Sequence, residues 1–213
     1  MGQYYKPILL KEDKKTPIGF AYSHDFGSGL KLMEHSWMKN SFVGFIETLL
    51  ASGKPFHKTP LVWGGDYAEP EPFNTIPKVV VDELVADGYV LKEVEENGVE
   101  LYSIASHSAP KLTPHIGDVK DFEAKPIAKL KYLVNHDKKQ FVDKTKVPKD
   151  ADGWRIHPLP LLTCEGNGRG GGDYFGEDKQ GLVGSWARDI ISVETKKADI
   201  PKDYTELIFD LVE

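Results

Sequence analysis

Apolar positions along the chain recur with two periods, and they predict a few elements clearly. From about Trp37 to Ala51, the residues Met38, Phe42, Phe45, Ile46, Leu49 and Leu50 fall on one face of a helix. Ser36 or Asn40 is its candidate N-cap, and Gly53 followed by Pro55 its stop. A second, shorter helix is bracketed by Thr75 as N-cap, Pro77 in the first turn and Gly88 at the end, with Val80, Val81, Leu84 and Val85 inside.

Strand signals are more numerous. Gly2 to Leu10 and Ile18 to Tyr22 flank a charged turn and predict a hairpin. Leu61-Val62-Trp63 is a short strand that runs into Gly64-Gly65-Asp66-Tyr67. Tyr89 to Val94 and Val99 to Ile104 flank Asn97-Gly98, a strong type I′ turn signal, and so predict a second hairpin. Lys131 to His136 and Gln140 to Asp143 predict a third. Ser106 to Lys125, with His107, Pro110, Pro114 and His115, has no period and reads as a long loop. Trp154 to Leu162 reads as an extended run kept to a sheet edge or bulge by Pro158 and Pro160. Leu182 to Ala187 and Ile190 to Val193 read as a kinked strand or two short ones, and Tyr204 to Val212 as a closing segment. The fold class expected from this pattern is α+β: a mainly antiparallel sheet built from hairpins, with about two helices packed on it. The chain reads as a single domain over residues 1–213, with 70–125 a candidate inserted subdomain of helix, hairpin and loop.

Composition narrows the classes of partner. A net charge of −6, spread over mixed acidic and basic residues, supports solubility and argues against an electrostatic nucleic-acid binder. The single cysteine, Cys164, cannot form an internal disulfide, and no N-terminal stretch has the make-up of a signal peptide or membrane span, so a cytoplasmic protein is expected.

The most unusual stretch is Thr163 to Tyr174, with five glycines between Gly166 and Gly172. Gly166 to Gly171 formally matches the dinucleotide fingerprint G-x-G-x-x-G. No helical pattern follows it, however, and Asp173, Glu177 and Asp178 place acid where a pyrophosphate would sit. The Gly-Lys-Ser/Thr ending of a P-loop is missing too. Two readings of the loop stay open. Its N–H groups converge on an anion, with Arg169 as a forked donor; or its glycines build a bulged turn in which Arg169 pairs with Asp173 or Glu165. The candidate ligand-binding residues are Gly166, Asn167, Gly168, Arg169, Gly170, Gly171, Gly172, Asp173 and Tyr174, together with Glu34, His35, Asp66 and Tyr67.

No metal-binding spacing is present; His24, Asp25, Glu34 and His35 are the only local cluster of ligand types, and capping explains the acids. Acid–base or nucleophilic chemistry would draw on Cys164, His157, His35 or Asp66, without a local signature. Trp63, Tyr67, Tyr174 and Trp186 read as core and turn packing before they read as a base-stacking platform.

Several motifs also resemble a family of bacterial and phage proteins to which no activity is assigned. They are Met1-Gly2-Gln3-Tyr4-Tyr5, Gly29 to Ser36, Gly65-Asp66-Tyr67-Ala68, Tyr132 to His136, Ile156 to Leu162, Gly166 to Tyr174 and Val183 to Ala187. The resemblance implies a bacterial or phage source and leaves any cofactor unknown. Because the position matching Cys164 is often a small residue without a thiol, it also weakens a nucleophilic role for that side chain. The expectation is a non-enzymatic binding or regulatory protein whose glycine loop engages a small anionic ligand or a host or phage protein. The alternative is a small hydrolase or transferase acting on a nucleotide or another phosphorylated substrate at the same loop.

Overall fold

β3 (Thr59–Gly65) is the strand on which the rest of the sheet is assembled. It pairs antiparallel with β1 (Tyr5–Leu10) along one edge and with β7 (Ile190–Glu194) along the other, and its Trp63 and Gly64 pair in parallel with β6 (Cys164–Glu165). The computed structural model describes residues 2–113 and 129–213. Together with β2 (Pro17–Phe20), β4 (Tyr132–Asn135), β5 (Gln140–Asp143) and β8 (Thr205–Glu206), the sheet has the order β2-β1-β3-β7-β4-β5-β8, with β6 branching from β3. It is mostly antiparallel, so the α+β class holds. The hairpins β1–β2 and β4–β5 form where alternation predicts them.

The helices differ more from expectation: there are six among the described residues, against about two expected. They are α1 (Leu32–His35), α2 (Ser41–Leu50), α3 (Lys78–Ala86), α4 (Leu91–Asn97), α5 (Leu101–Ser108) and α6 (Pro158–Thr163). The long helix is α2, shorter at its start than its apolar stripe suggests, because Asn40 takes the cap: its Oδ1 accepts the N–H groups of Phe42 and Val43 at 3.0 and 3.3 Å. Phe42, Val43, Phe45, Ile46 and Leu50 then bury against Leu61, Trp63, Leu133 and Ile191 in the main core.

The hairpin expected around Asn97-Gly98 is a pair of helices instead. Gly98 ends α4 at φ 72° rather than turning a hairpin, and its Cα approaches the Glu71 carbonyl so closely that a Cβ would collide with it. The stretch after it places Leu101, Ile104 and Ala105 at helical spacing. Ile104 joins Ile76, Val80, Val81, Leu84, Val94 and Val99 in a small core of its own. Leu101 and Ala105 face Ile8, Leu10, Phe20 and Val62 of the sheet. Burial on two different surfaces favours the 3.6-residue period over the alternation, which the turn signal had made persuasive. α3 matches the expected second helix, but begins after Pro77, with Thr75 in the preceding 3-10 turn.

Three further expectations are corrected. Residues 158–163 are helical because prolines at its first and third positions lack only N–H groups that a first turn leaves unbonded, and the His157 ring accepts the Leu159 N–H at 3.1 Å. Leu182 to Ala187 is not a strand: the Asp178 carboxylate holds the N–H groups of Leu182 and Val183 at 2.8 and 2.9 Å, and turns follow through Gly184. Of the closing segment, only Thr205–Glu206 joins the sheet, in parallel with β5. In the expected loop from Ser106, residues 106–108 belong to α5, and Pro114, His115 and the rest through Lys125 lie outside the described residues.

Candidate functional site

β6 delivers the glycine loop beside β3, and the loop is closed from within. The Asp173 Oδ2 accepts three consecutive backbone N–H groups: Gly168 at 2.7 Å, Arg169 at 3.0 Å and Gly170 at 3.2 Å. This is the backbone nest that sequence reasoning offers to an external anion, and its occupant is a carboxylate of the same loop. Asn167 ties the two ends together, accepting the Tyr174 N–H at 2.9 Å and donating to the Tyr174 carbonyl at 3.1 Å.

The N-terminal strand seals the other side. Gln3 is fully buried, and with its oxygen toward the Tyr67 N–H at 3.0 Å its amide nitrogen donates to the Gly166 carbonyl and to Asp173. The Gln3 backbone lies so close to Gly170 that any Cβ there would collide with it, which explains one of the five glycines by packing. Gly2 bridges to Gly171. Burial and the neighbouring Asp173 carboxylate push the Tyr5 phenol far above its usual range.

Asp66 and Tyr67 join this assembly. The Asp66 Oδ1 accepts the Tyr4 N–H at 2.9 Å, and burial raises its carboxyl pKa against that bond. The Tyr67 carbonyl accepts from Arg169 at 3.3 Å, while the other arm of the guanidinium pairs with Glu69. Arg169 therefore pairs neither with Glu165, which Arg188 holds, nor through its side chain with Asp173.

Glu34 and His35 are adjacent through α1, where Met33 donates to the Gly172 carbonyl at 2.9 Å, but neither faces the nest. Glu34 accepts the Lys31 N–H at 3.1 Å as a cap. The Nδ1 of His35 donates to the Gly29 carbonyl at 3.0 Å, its Nε2 accepts from the Trp63 indole at 2.9 Å, and burial holds the ring pKa down at about 4. Both ring nitrogens are thus committed to neutral bonds inside the core.

The remaining catalytic candidates are buried apart from the loop surface. The Cys164 thiol donates to the Leu161 carbonyl at 3.3 Å, and burial raises its pKa well above the thiol range. His157 lies beside Glu47 and Lys144, two buried charges missed in the apolar stripe of α2 and after β5. Trp63, Trp186 and Tyr174 are core side chains. His24 contacts Asp25 at 3.4 Å, and among the described residues no group of three or more His, Cys, Asp or Glu is arranged to hold a metal ion. A cavity of about 340 Å³ opens between α3, α5 and the β1–β2 turn, lined by Ile76, Val80, Ile104 and His107 rather than by the loop.

The buried Lys6 has a sequence signature, and a half-buried network around His136 has none. Lys6 lies on the same face of β1 as Ile8 and Leu10, so alternation alone places a lysine in the core. His136 donates from Nε2 to Ser192, 2.9 Å away, and Ser192 donates to Glu194 at 2.9 Å, with Tyr204 at the other ring nitrogen; these partners lie far apart in the chain. No helix among the described residues is long and apolar enough to cross a membrane. No protein family, curated protein or solved structure was found to match the chain.

Proposed function

We propose that the chain is a non-enzymatic binding protein of bacterial or phage origin, and that the outer edge of the glycine loop engages a protein partner. The observation that carries this reading is the Asp173 carboxylate in the nest. An incoming phosphate or carboxylate would have to displace a buried side chain that already holds three N–H groups, so the loop is better suited to present its exterior than to bind an anion within. That exterior carries the salt-bridged Arg169 and Glu69, the 42% exposed Tyr4 beside Asp66, and Phe175, which is 70% exposed directly after the loop. Aromatic residues and arginine are the types enriched at protein interfaces and their hot spots. The burial of His35, His157 and Cys164 weighs against the hydrolase or transferase reading. The unpaired Cys164 and the resemblance of the motifs support a cytoplasmic site of action.

The test is affinity capture from bacterial lysate with the parent chain, Arg169→Ala and Phe175→Ala, alongside melting curves with phosphate and nucleotides. The expected result is a partner whose retention falls roughly tenfold or more with Phe175→Ala, at an unchanged melting temperature. A rise in melting temperature with phosphate or a nucleotide that Arg169→Ala abolishes would replace the protein partner with a small anionic ligand.

A further inference from the structure

Trp154 is 62% exposed, while Trp63 and Trp186 are fully buried and Trp37 is half-buried. A single exposed apolar side chain is ordinary; what surrounds this one is not. Its backbone is held in place, because the Asp150 Oδ1 accepts the N–H groups of Asp152 and Trp154 at 3.0 and 2.8 Å and the Asp150 N–H donates to the Trp154 carbonyl at 2.9 Å. The residues that follow pair with the segment before α2: Met38 donates to the Arg155 carbonyl at 2.9 Å, and His157 to the Ser36 carbonyl at 2.8 Å. Trp37, whose indole donates to the Met33 carbonyl at 2.6 Å, braces the Trp154 ring edge-on at 6.2 Å between centroids. The ring is thus displayed from a rigid frame.

Two cavities adjoin it, of about 510 and 590 Å³, within the roughly 300–1,000 Å³ usual for small-molecule sites. Lys39 and Asp152 border both, and the smaller one adds Lys149 and Arg155, so that three cations meet one carboxylate there. None of the three cations has an ion pair or a side-chain hydrogen bond among the described residues, and the Arg155 Nε is buried without a partner. The other two arginines, Arg169 and Arg188, are both ion-paired. A half-buried guanidinium left without an acceptor, beside an open aromatic face, is a donor set that lacks its anion.

We propose that this face binds a nucleotide. The base stacks on the Trp154 indole, the phosphate is held by Arg155, Lys39 and Lys149, and the Asp152 carboxylate, free of partners among the described residues, accepts from a ribose hydroxyl. Stacking on an aromatic ring suits any base, and the guanidinium fork matches two phosphate oxygens. A net charge of −6 disfavours a polynucleotide, whose further phosphates would meet acidic surface, whereas a single nucleotide places its charge at a locally basic spot. This goes beyond the partner-binding reading and does not use the glycine loop.

The experiment titrates the isotope-labelled full chain with AMP, adenosine and inorganic phosphate, follows the indole N–H signals by NMR and measures affinity by calorimetry. The Trp154 signal, identified by its loss in Trp154→Ala, is expected to move with AMP, which should bind about tenfold or more tighter than adenosine or phosphate. Trp154→Ala, at an exposed position, and Arg155→Gln should each weaken AMP binding about tenfold or more, while Arg169→Ala leaves it unchanged and so separates this site from the glycine loop. No shift at millimolar AMP, adenosine binding as tightly as AMP, or an affinity that survives Trp154→Ala would overturn the proposal.

Discussion

The glycine nest and the aromatic cage around Lys6 are both built as ion sites, and each is closed by a side chain of the same molecule, but the two closures differ in kind. Asp173 meets three N–H donors and the Gln3 amide, all on Oδ2, while its Oδ1 is buried without a hydrogen-bond partner among the described residues. Lys6 meets three rings and two hydroxyls, with no opposite charge. A filled nest with matched hydrogen bonds is structural, whereas an unmatched amine is a strained tenant whose cost is offset elsewhere in the fold. Substitution should therefore move the two regions in opposite directions.

The largest effect is expected at the nest. Asp173→Ala takes the shared acceptor away from the N–H groups of Gly168, Arg169 and Gly170 and from the buried Gln3 amide, a loss of about 3–5 kcal/mol in urea denaturation. A loss under about 1 kcal/mol would show that the loop does not depend on its internal anion.

The second effect is set by pH, through His35 at the end of α1. Its folded pKa, about 4, lies below the unfolded value, so the stability it contributes is complete above about 6.5 and is lost as pH falls from there toward 4. The loss is on the order of 3 kcal/mol. An NMR titration of the ring should show it neutral down to about pH 4, and an ordinary midpoint near 6.5 would refute the buried, doubly bonded geometry.

At the cage the sign reverses. Lys6→Met keeps the packing and removes the amine, leaving the Tyr22 and Ser106 hydroxyls bonded to each other, so a gain of about 1–3 kcal/mol is expected at pH 7. Because the folded amine titrates at about 7 and the unfolded one at 10.5, that gain should shrink as pH rises between those values, which urea midpoints at pH 7 and pH 10 would compare. A loss of stability on Lys6→Met would instead mark the lysine as a structural cation. The smallest effect belongs to Arg169→Ala, whose pair with the exposed Glu69 should change stability by under about 0.5 kcal/mol while weakening partner capture.

The sequence made local features legible and long-range ones obscure. The stripe of α2 and the alternation of β1 and β4 are written within a few residues, so period alone located them. Asn97-Gly98 was misleading because the same dipeptide that turns a hairpin also ends a helix, and the choice was made by the distant Glu71 and by the two surfaces that Leu101 and Ile104 cover. The glycine loop was conspicuous for a sound reason, since its backbone does form a nest. That Asp173 fills the nest could not be read from spacing, and that Gln3 seals it required knowing that residue 3 reaches residue 166. Lys6 was within reach, because a charge on the buried face of an alternating strand is itself a signal.

The central position of β3 also bears on how the chain acquires its structure. Its partners come from residues 5–10 on one edge, and from residues 164–165 and 190–194 on the other. During synthesis β1, β2 and the helical segment through α5 can assemble early, but one edge of the central strand stays unpaired until nearly the whole chain has emerged. Such late, long-range closure slows folding and prolongs the interval in which an apolar strand edge is open to wrong partners.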